Sequence, residues 1–222
     1  AKAIITFIGD YEGCDPIEKT FKILPTTIVE ERSMGNTAVE MNVFSRLVME
    51  RILFLSGEVT EDTIDTLIGQ MLFLDSINHQ PINLYIDSPG GSCYAGLALI
   101  GVMDFIKSPV HTTILGLAAS MGAVIASCGE KGHRYALPYS RFMLHQPSSN
   151  FGYSKYTDSK IALEEMESVK KDLYEILTKT SGHSLEEIEQ LCNNGDKWMK
   201  VEVVPMLLGE YAHTVDDKGR FT

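Results

Sequence analysis

Between Arg51 and Ser127 the chain alternates short apolar runs with amphipathic or small-residue stretches, three times in succession. Arg51-Ile52-Leu53-Phe54-Leu55 reads as a strand ended by Ser56-Gly57. Thr60 then precedes Ile64, Leu67, Ile68, Met71 and Leu72, the spacing of an amphipathic helix. Asn83-Leu84-Tyr85-Ile86-Asp87 reads as the next strand, cut by Ser88-Pro89-Gly90-Gly91, and a second helix follows with Tyr94, Leu97, Ala98, Gly101, Val102 and Phe105 on one face. Val110 to Leu115 forms a third strand, and Gly116 to Ser127 reads as a tightly packed small-residue helix. Such alternation predicts right-handed crossovers and an α/β fold built on a mostly parallel sheet.

The flanks differ in character. Residues 1–25 lack sustained periodicity and hold Gly9, Gly13, Pro16 and Pro25, so they read as an N-terminal arm, flexible or propeptide-like. Residues 26–222 read as one domain. Within it, residues 159–181 predict a long charged helix with Ala162, Met166, Val169, Leu173, Ile176 and Leu177 as its apolar stripe, stopped by Gly182. Ser184-Leu185-Glu186-Glu187 has the form of a capping box and opens another helix.

Composition narrows the function classes. Nineteen Lys and Arg against thirty Asp and Glu give a formal charge of −11, which argues against a nucleic-acid partner bound through clustered cations. Cys14, Cys93, Cys128 and Cys192 form no Cys-x-x-Cys pair and predict reduced thiols in a cytosolic setting. No apolar run approaches the roughly 18 residues of a membrane span, so no membrane partner is expected. There is no His-Glu-x-x-His and no clustered His/Cys set, so no metal and no cofactor is expected.

Ser120 is the sharpest candidate for chemistry. It lies in Gly116-Leu117-Ala118-Ala119-Ser120-Met121-Gly122-Ala123, between a strand and a helix, where a hydroxyl stands beside free backbone N–H groups. A helix-capping or packing serine is the plain alternative. Gly90-Gly91 permits positive φ and an unobstructed amide, suited either to one donor of an oxyanion hole with the Met121 amide or to a purely structural turn. His145, at a strand end before Gln146-Pro147, is a candidate base or a structural histidine. Asp196 lies in Asn193-Asn194-Gly195-Asp196-Lys197-Trp198, a turn leading into a short helical pattern. It competes with Asp158 and Asp172 to orient His145, and with a simple N-cap role.

Taken together these residues resemble the proteolytic-subunit family of the Clp protease (the ClpP family). The matching segments are Phe44–Leu47, Glu50–Gly57, Gln70–Leu74, Ile86–Gly91, Ala118–Ala123 and Leu137–Pro147, within roughly residues 28–200. The resemblance implies a crotonase-like fold with a parallel sheet core and a projecting helical handle. It implies a Ser120, His145 and Asp196 triad with Gly91 and Met121 as oxyanion amides. It further implies self-association into seven-membered rings, two rings stacked around a chamber, fed with unfolded polypeptide by a hexameric AAA+ unfoldase. The implied location is the bacterial cytoplasm, with a plastid as the alternative. The chain departs from the family at Asn194-Gly195, where an acidic residue and an Arg usually precede the Asp, and at Ser148-Ser149-Asn150-Phe151, where a Gly-rich stretch is usual. Pro205-Met206-Leu207-Leu208-Gly209 replaces a customary Gly-Leu-Ile-Asp. These departures motivate a second reading, a weakly active or non-catalytic paralogue in a mixed ring. A third is a crotonase-type acyl-CoA enzyme using Gly91 and an opposing amide for an enolate.

Overall fold

The computed structural model describes residues 27–31, 38–148, 155–200 and 211–212. The expected arm, most of the Ser148–Phe151 segment and the Pro205–Gly209 segment lie outside the described residues. The chain divides into two compact units, Ala1–Glu50 and Arg51–Thr222. In the first, strand β1 (Thr27–Glu31) pairs antiparallel with β2 (Ala38–Asn42), and helix α1 (Val43–Met49) follows directly. The Asn42 side chain accepts a hydrogen bond from Phe44 N–H at 2.8 Å and so caps that helix.

The second unit opens with β3 (Ile52–Val59), α2 (Glu61–Ile77), β4 (Ile82–Gly91), α3 (Cys93–Phe105) and β5 (Val110–Ala119). Parallel pairs β3–β4 and β4–β5 give the two βαβ units that the sequence pattern predicts. Helix α4 (Met121–Ser127) leads to the short strands β6 (Arg134–Ala136) and β7 (Arg141–Leu144). Then come α5 (Tyr156–Ser181), α6 (Leu185–Asn193), β8 (Lys197–Lys200) and β9 (Tyr211–Ala212). Among the described residues the sheet is mixed, with β8 antiparallel to β7 and the other pairs parallel. No helix among them is long and apolar enough to cross a membrane.

Strand β5 organises the site. Its first half, Thr112–Ile114, pairs with β6, and its second half, Leu117–Ala119, pairs with β7. Two chain segments are thereby brought side by side at the carboxyl end of the sheet. Leu84, Ile86 and Ile114 of the sheet are buried, as are Ile64, Leu67, Met71 and Leu74 of α2.

Several local expectations change in the structure. Ser56-Gly57 does not end β3: Gly57 takes φ 82° and the β3–β4 register shifts there, so a bulge absorbs the glycine and the strand continues. Likewise β4 runs on through Ser88-Pro89-Gly90-Gly91 after its own register shift. The segment Gly116–Ser127 divides, its first part completing β5 and only Met121–Ser127 turning into helix. In α3 the buried face is Ala95, Gly96, Leu99, Ile100 and Met103, while Tyr94 is 60% and Phe105 79% exposed. A helix so uniformly apolar or small has no polar face from which periodicity could pick the buried one. Gly96 decides it, because a Cβ there would run into the Met121 side chain of α4. Helix α5 buries Val169, Leu173, Tyr174 and Leu177 in its second half and leaves Tyr156, Ile161 and Leu163 of its first half exposed. Gly182 ends it in the left-handed conformation at φ 79°.

At the opposite end of the sheet, Arg51 holds the strand starts together. Its guanidinium donates to Leu74 O at 3.0 Å, Gln80 O at 2.7 Å and Ser108 Oγ at 2.9 Å. Asp75 accepts the Ser108 amide and hydroxyl, each at 2.8 Å, and faces His79 Nδ1 at 3.0 Å. Burial pushes the Asp75 carboxyl up, but the Ser108 and His79 hydrogen bonds outweigh it and hold the group at about 2.

Candidate active site

The site begins with a backbone constraint. Ser120 joins β5 to α4 at φ 53°, ψ −126°, a conformation that costs a non-glycine residue about 1–3 kcal/mol. The surroundings enforce it. Ser120 N–H donates to Met143 O at 2.9 Å, and Ser120 O accepts from Ala123 N at 3.0 Å and Val124 N at 3.2 Å. The elbow presses on the end of β4, where a Cβ at Gly90 would lie 2.6 Å from Ser120 Cβ, 2.7 Å from Ala119 O and 2.9 Å from Met121 N. A Cβ at Gly122 would likewise lie 3.1 Å from Ser88 Cβ and 3.1 Å from Ser88 O.

Ser120 occupies the N-cap position of α4 without making a side-chain cap. Its Oγ lies instead 2.8 Å from His145 Nε2. The sheet register explains the meeting: Ala119 pairs with Met143 in parallel, so Ser120 and His145 emerge from neighbouring strands at the same end. Gln146 N–H donates to Cys192 O at 3.2 Å and ties the segment after the histidine to the end of α6.

The carboxylate arrives by a second register. Leu144 pairs with Lys197 across the antiparallel β7–β8 ladder, and one further step sets His145 opposite Asp196. His145 Nδ1 and Asp196 Oδ1 are 3.5 Å apart, with 26% of the histidine and 59% of the aspartate side chain exposed. Asp158 and Asp172 stay exposed on α5. The sequence pattern after Asp196 reads as helical, yet Lys197–Lys200 is a strand, because pairing with β7 overrides a four-residue local pattern. Asp196 therefore caps no helix; Gly195 at φ 88° turns the chain into β8.

Gly91 ends β4 at φ 148°, and a Cβ there would collide with the Val59 carbonyl of β3. Met121 is the first residue of α4, so its amide is one that the helix itself leaves unpaired, and its side chain is buried. A pocket beside Ser120 is lined by Cys93, Met121, Val124, Pro147, Leu173 and Leu177 among others. Burial pushes the Cys93 thiol pKa up, which leaves Cys93 a poor nucleophile beside the serine. His79, noted in the sequence four residues after Asp75, belongs to the Asp75 network at the far end of the sheet.

These observations define an α/β protein whose mixed sheet presents a serine, on a strained strand-to-helix turn, to a histidine on the adjoining strand. The Clp protease family model matches residues 35–204. The chain belongs to the Clp protease family. It is 42% identical over 178 residues to the ATP-dependent Clp protease proteolytic subunit of Lactococcus lactis subsp. lactis, spanning 79% of this chain and 88% of that protein. A protein of the same name from Bacteroides fragilis is 41% identical over 189 residues, 85% of this chain and 89% of the relative. One from Streptococcus agalactiae serotype V is 40% identical over 177 residues, 79% and 89% of the two chains.

Proposed function

We propose that this chain is a serine endopeptidase in which Ser120 is the nucleophile, His145 the general base and Asp196 the group that orients the imidazole. The observation that carries the reading is the 2.8 Å contact between Ser120 Oγ and His145 Nε2 at a strained elbow. His145 Nε2 takes the hydroxyl proton as Oγ attacks a peptide carbonyl carbon. The oxygen that gains the charge is stabilised by the amides of Gly91 and Met121. His145 then returns the proton to the leaving amine, and water repeats the sequence on the acyl-enzyme. Asp196 holds the proton on Nδ1 and steadies the imidazolium. No step requires a metal or cofactor.

The relatives' name, ATP-dependent Clp protease proteolytic subunit, supports a Clp ATPase as partner. In this reading two stacked seven-membered rings of the chain form a chamber, and a hexameric AAA+ unfoldase threads unfolded polypeptide into it. The bacterial cytoplasm is the setting. Labelling with a fluorophosphonate tests the chemistry: one adduct per chain at Ser120 is expected, and its absence, with or without a partner subunit, sinks the reading. The 3.5 Å separation and the exposure of Asp196 favour one competing account, a ring member of low activity that a paralogue completes. Labelling that needs a second paralogue would select it. A crotonase-type acyl-CoA activity leaves the serine–histidine contact without a role.

A further inference from the structure

One cluster of ligating side chains is untouched by the peptidase reading. His111 and Ser120 stand at opposite ends of β5, about 30 Å apart at the usual rise of a strand. Glu130 and His133 come from the turn that leads into β6. The backbone there is cross-bonded before any side chain is considered. Glu130 N–H donates to Val110 O at 2.8 Å, His133 N–H to Glu130 O at 2.9 Å, and Thr112 N–H to His133 O at 3.1 Å. Gly132, at φ 83°, supplies the left-handed step between the two side chains.

The side chains converge on one point. His111 Nε2 is 3.1 Å and His133 Nδ1 3.4 Å from the same oxygen, Glu130 Oε2. One ligating atom from each residue lies within 4.8 Å of the others. Zinc bonds of about 2.0–2.1 Å in a tetrahedral arrangement put neighbouring ligand atoms about 3.3 Å apart, close to both distances. His133 Nδ1 is sealed from solvent and makes no hydrogen bond, which is costly for a buried polar atom unless something binds it. The two imidazoles stack at 4.2 Å with planes 11° apart. A lone pair lies in its ring plane, so an ion shared by both rings requires one to turn out of the stack. His133, 46% exposed, has the room.

We propose that His111, Glu130 and His133 form a binding site for a divalent cation of zinc's class, held by two imidazole nitrogens and one carboxylate oxygen, with water completing the coordination. Bound there, the ion clamps the turn before β6 onto the start of β5.

The test is titration of the full chain with Zn²⁺ by calorimetry, and with Co²⁺ as a spectroscopic probe. One ion per chain is expected, with the visible bands of low-symmetry Co²⁺ and a melting temperature that rises with zinc. Glu130→Gln and His133→Gln alter half-exposed side chains, and circular dichroism verifies their fold. Each should weaken zinc binding at least about a hundredfold, since loss of a direct ligand should exceed the 10–100-fold cost of losing an outer partner. His145→Gln should leave binding unchanged. The proposal is overturned by absence of zinc uptake, by unchanged affinity in either ligand variant, or by loss of binding in His145→Gln alone. None of these readouts depends on peptidase activity.

Discussion

Gly90→Ala tests how tightly the Ser120 turn is wedged against the neighbouring strand. Gly90 adopts φ 93°, and its added Cβ would lie 2.6 Å from Ser120 Cβ, 2.7 Å from Ala119 O and 2.9 Å from Met121 N. Two of those three atoms are backbone, so no rotamer change relieves the contact. Holding alanine at positive φ costs about 1–2 kcal/mol, and forcing a methyl into a packed site costs about 1–3 kcal/mol more. If the structure absorbs the clash, stability falls by about 2–5 kcal/mol. If the elbow moves instead, a displacement near 1 Å costs about a hundredfold in turnover. Fluorophosphonate labelling rate and thermal denaturation read the two outcomes separately. Gly101→Ala is the matched control: nothing lies within 4 Å of its Cβ, it sits in a helix, and it should be neutral or more stable by up to about 1 kcal/mol. A Gly90→Ala protein with both labelling rate and melting temperature unchanged refutes the account of the turn.

Three other outcomes follow from the same geometry. His145→Ala should lower peptide hydrolysis by about 10⁴-fold or more, because in the proposed mechanism base and nucleophile act as a unit, and initial-rate assays will show it. Asp196→Asn should cost about a hundredfold, less than the about 10⁴-fold of a buried triad carboxylate, because Asp196 is exposed and 3.5 Å from the ring. A loss equal to that of His145→Ala would contradict this. Asp75 is held below its ordinary carboxylate value, at about 2, so its contribution to stability is full above that ordinary value and fades as pH falls through about 2. Chemical denaturation from pH 5 down to about pH 2 should therefore show a slope that Asp75→Asn flattens.

The sequence exposed most of this architecture where two signals coincided and hid it where one stood alone. Ser120 was legible because a β-branched strand runs into small residues there, and small residues permit close approach of strand and helix. The buried face of α3 was not legible, because Tyr94 and Phe105 are as apolar as the residues that are buried. Ser56-Gly57 has the chemistry of a turn, yet pairing with β4 converts it to a bulge. Strand β8 is too short for its own pattern to specify it. Of the cluster at the start of β5, Glu130-x-x-His133 is the local trace; His111 joins it only through parallel pairing of β5 with β6.

The sheet also grades the site by how firmly each member is fastened. β7 is bonded on both sides, by β5 and by β8, whereas β8 among the described residues is bonded by β7 alone. Among the described residues Ser120 and His145 therefore stand on interior planks, and Asp196 stands on the outermost one. Edge ladders open at lower free energy than interior ladders. In the proposed triad, opening of the β8 ladder would carry the Asp196 carboxylate away while the Ser120 hydroxyl and His145 imidazole stay together, so peptidase activity is expected to fade on heating before the fold is lost. A strand laid along the outer side of β8 would steady that plank and, in the proposed triad, the Asp196 carboxylate that faces His145.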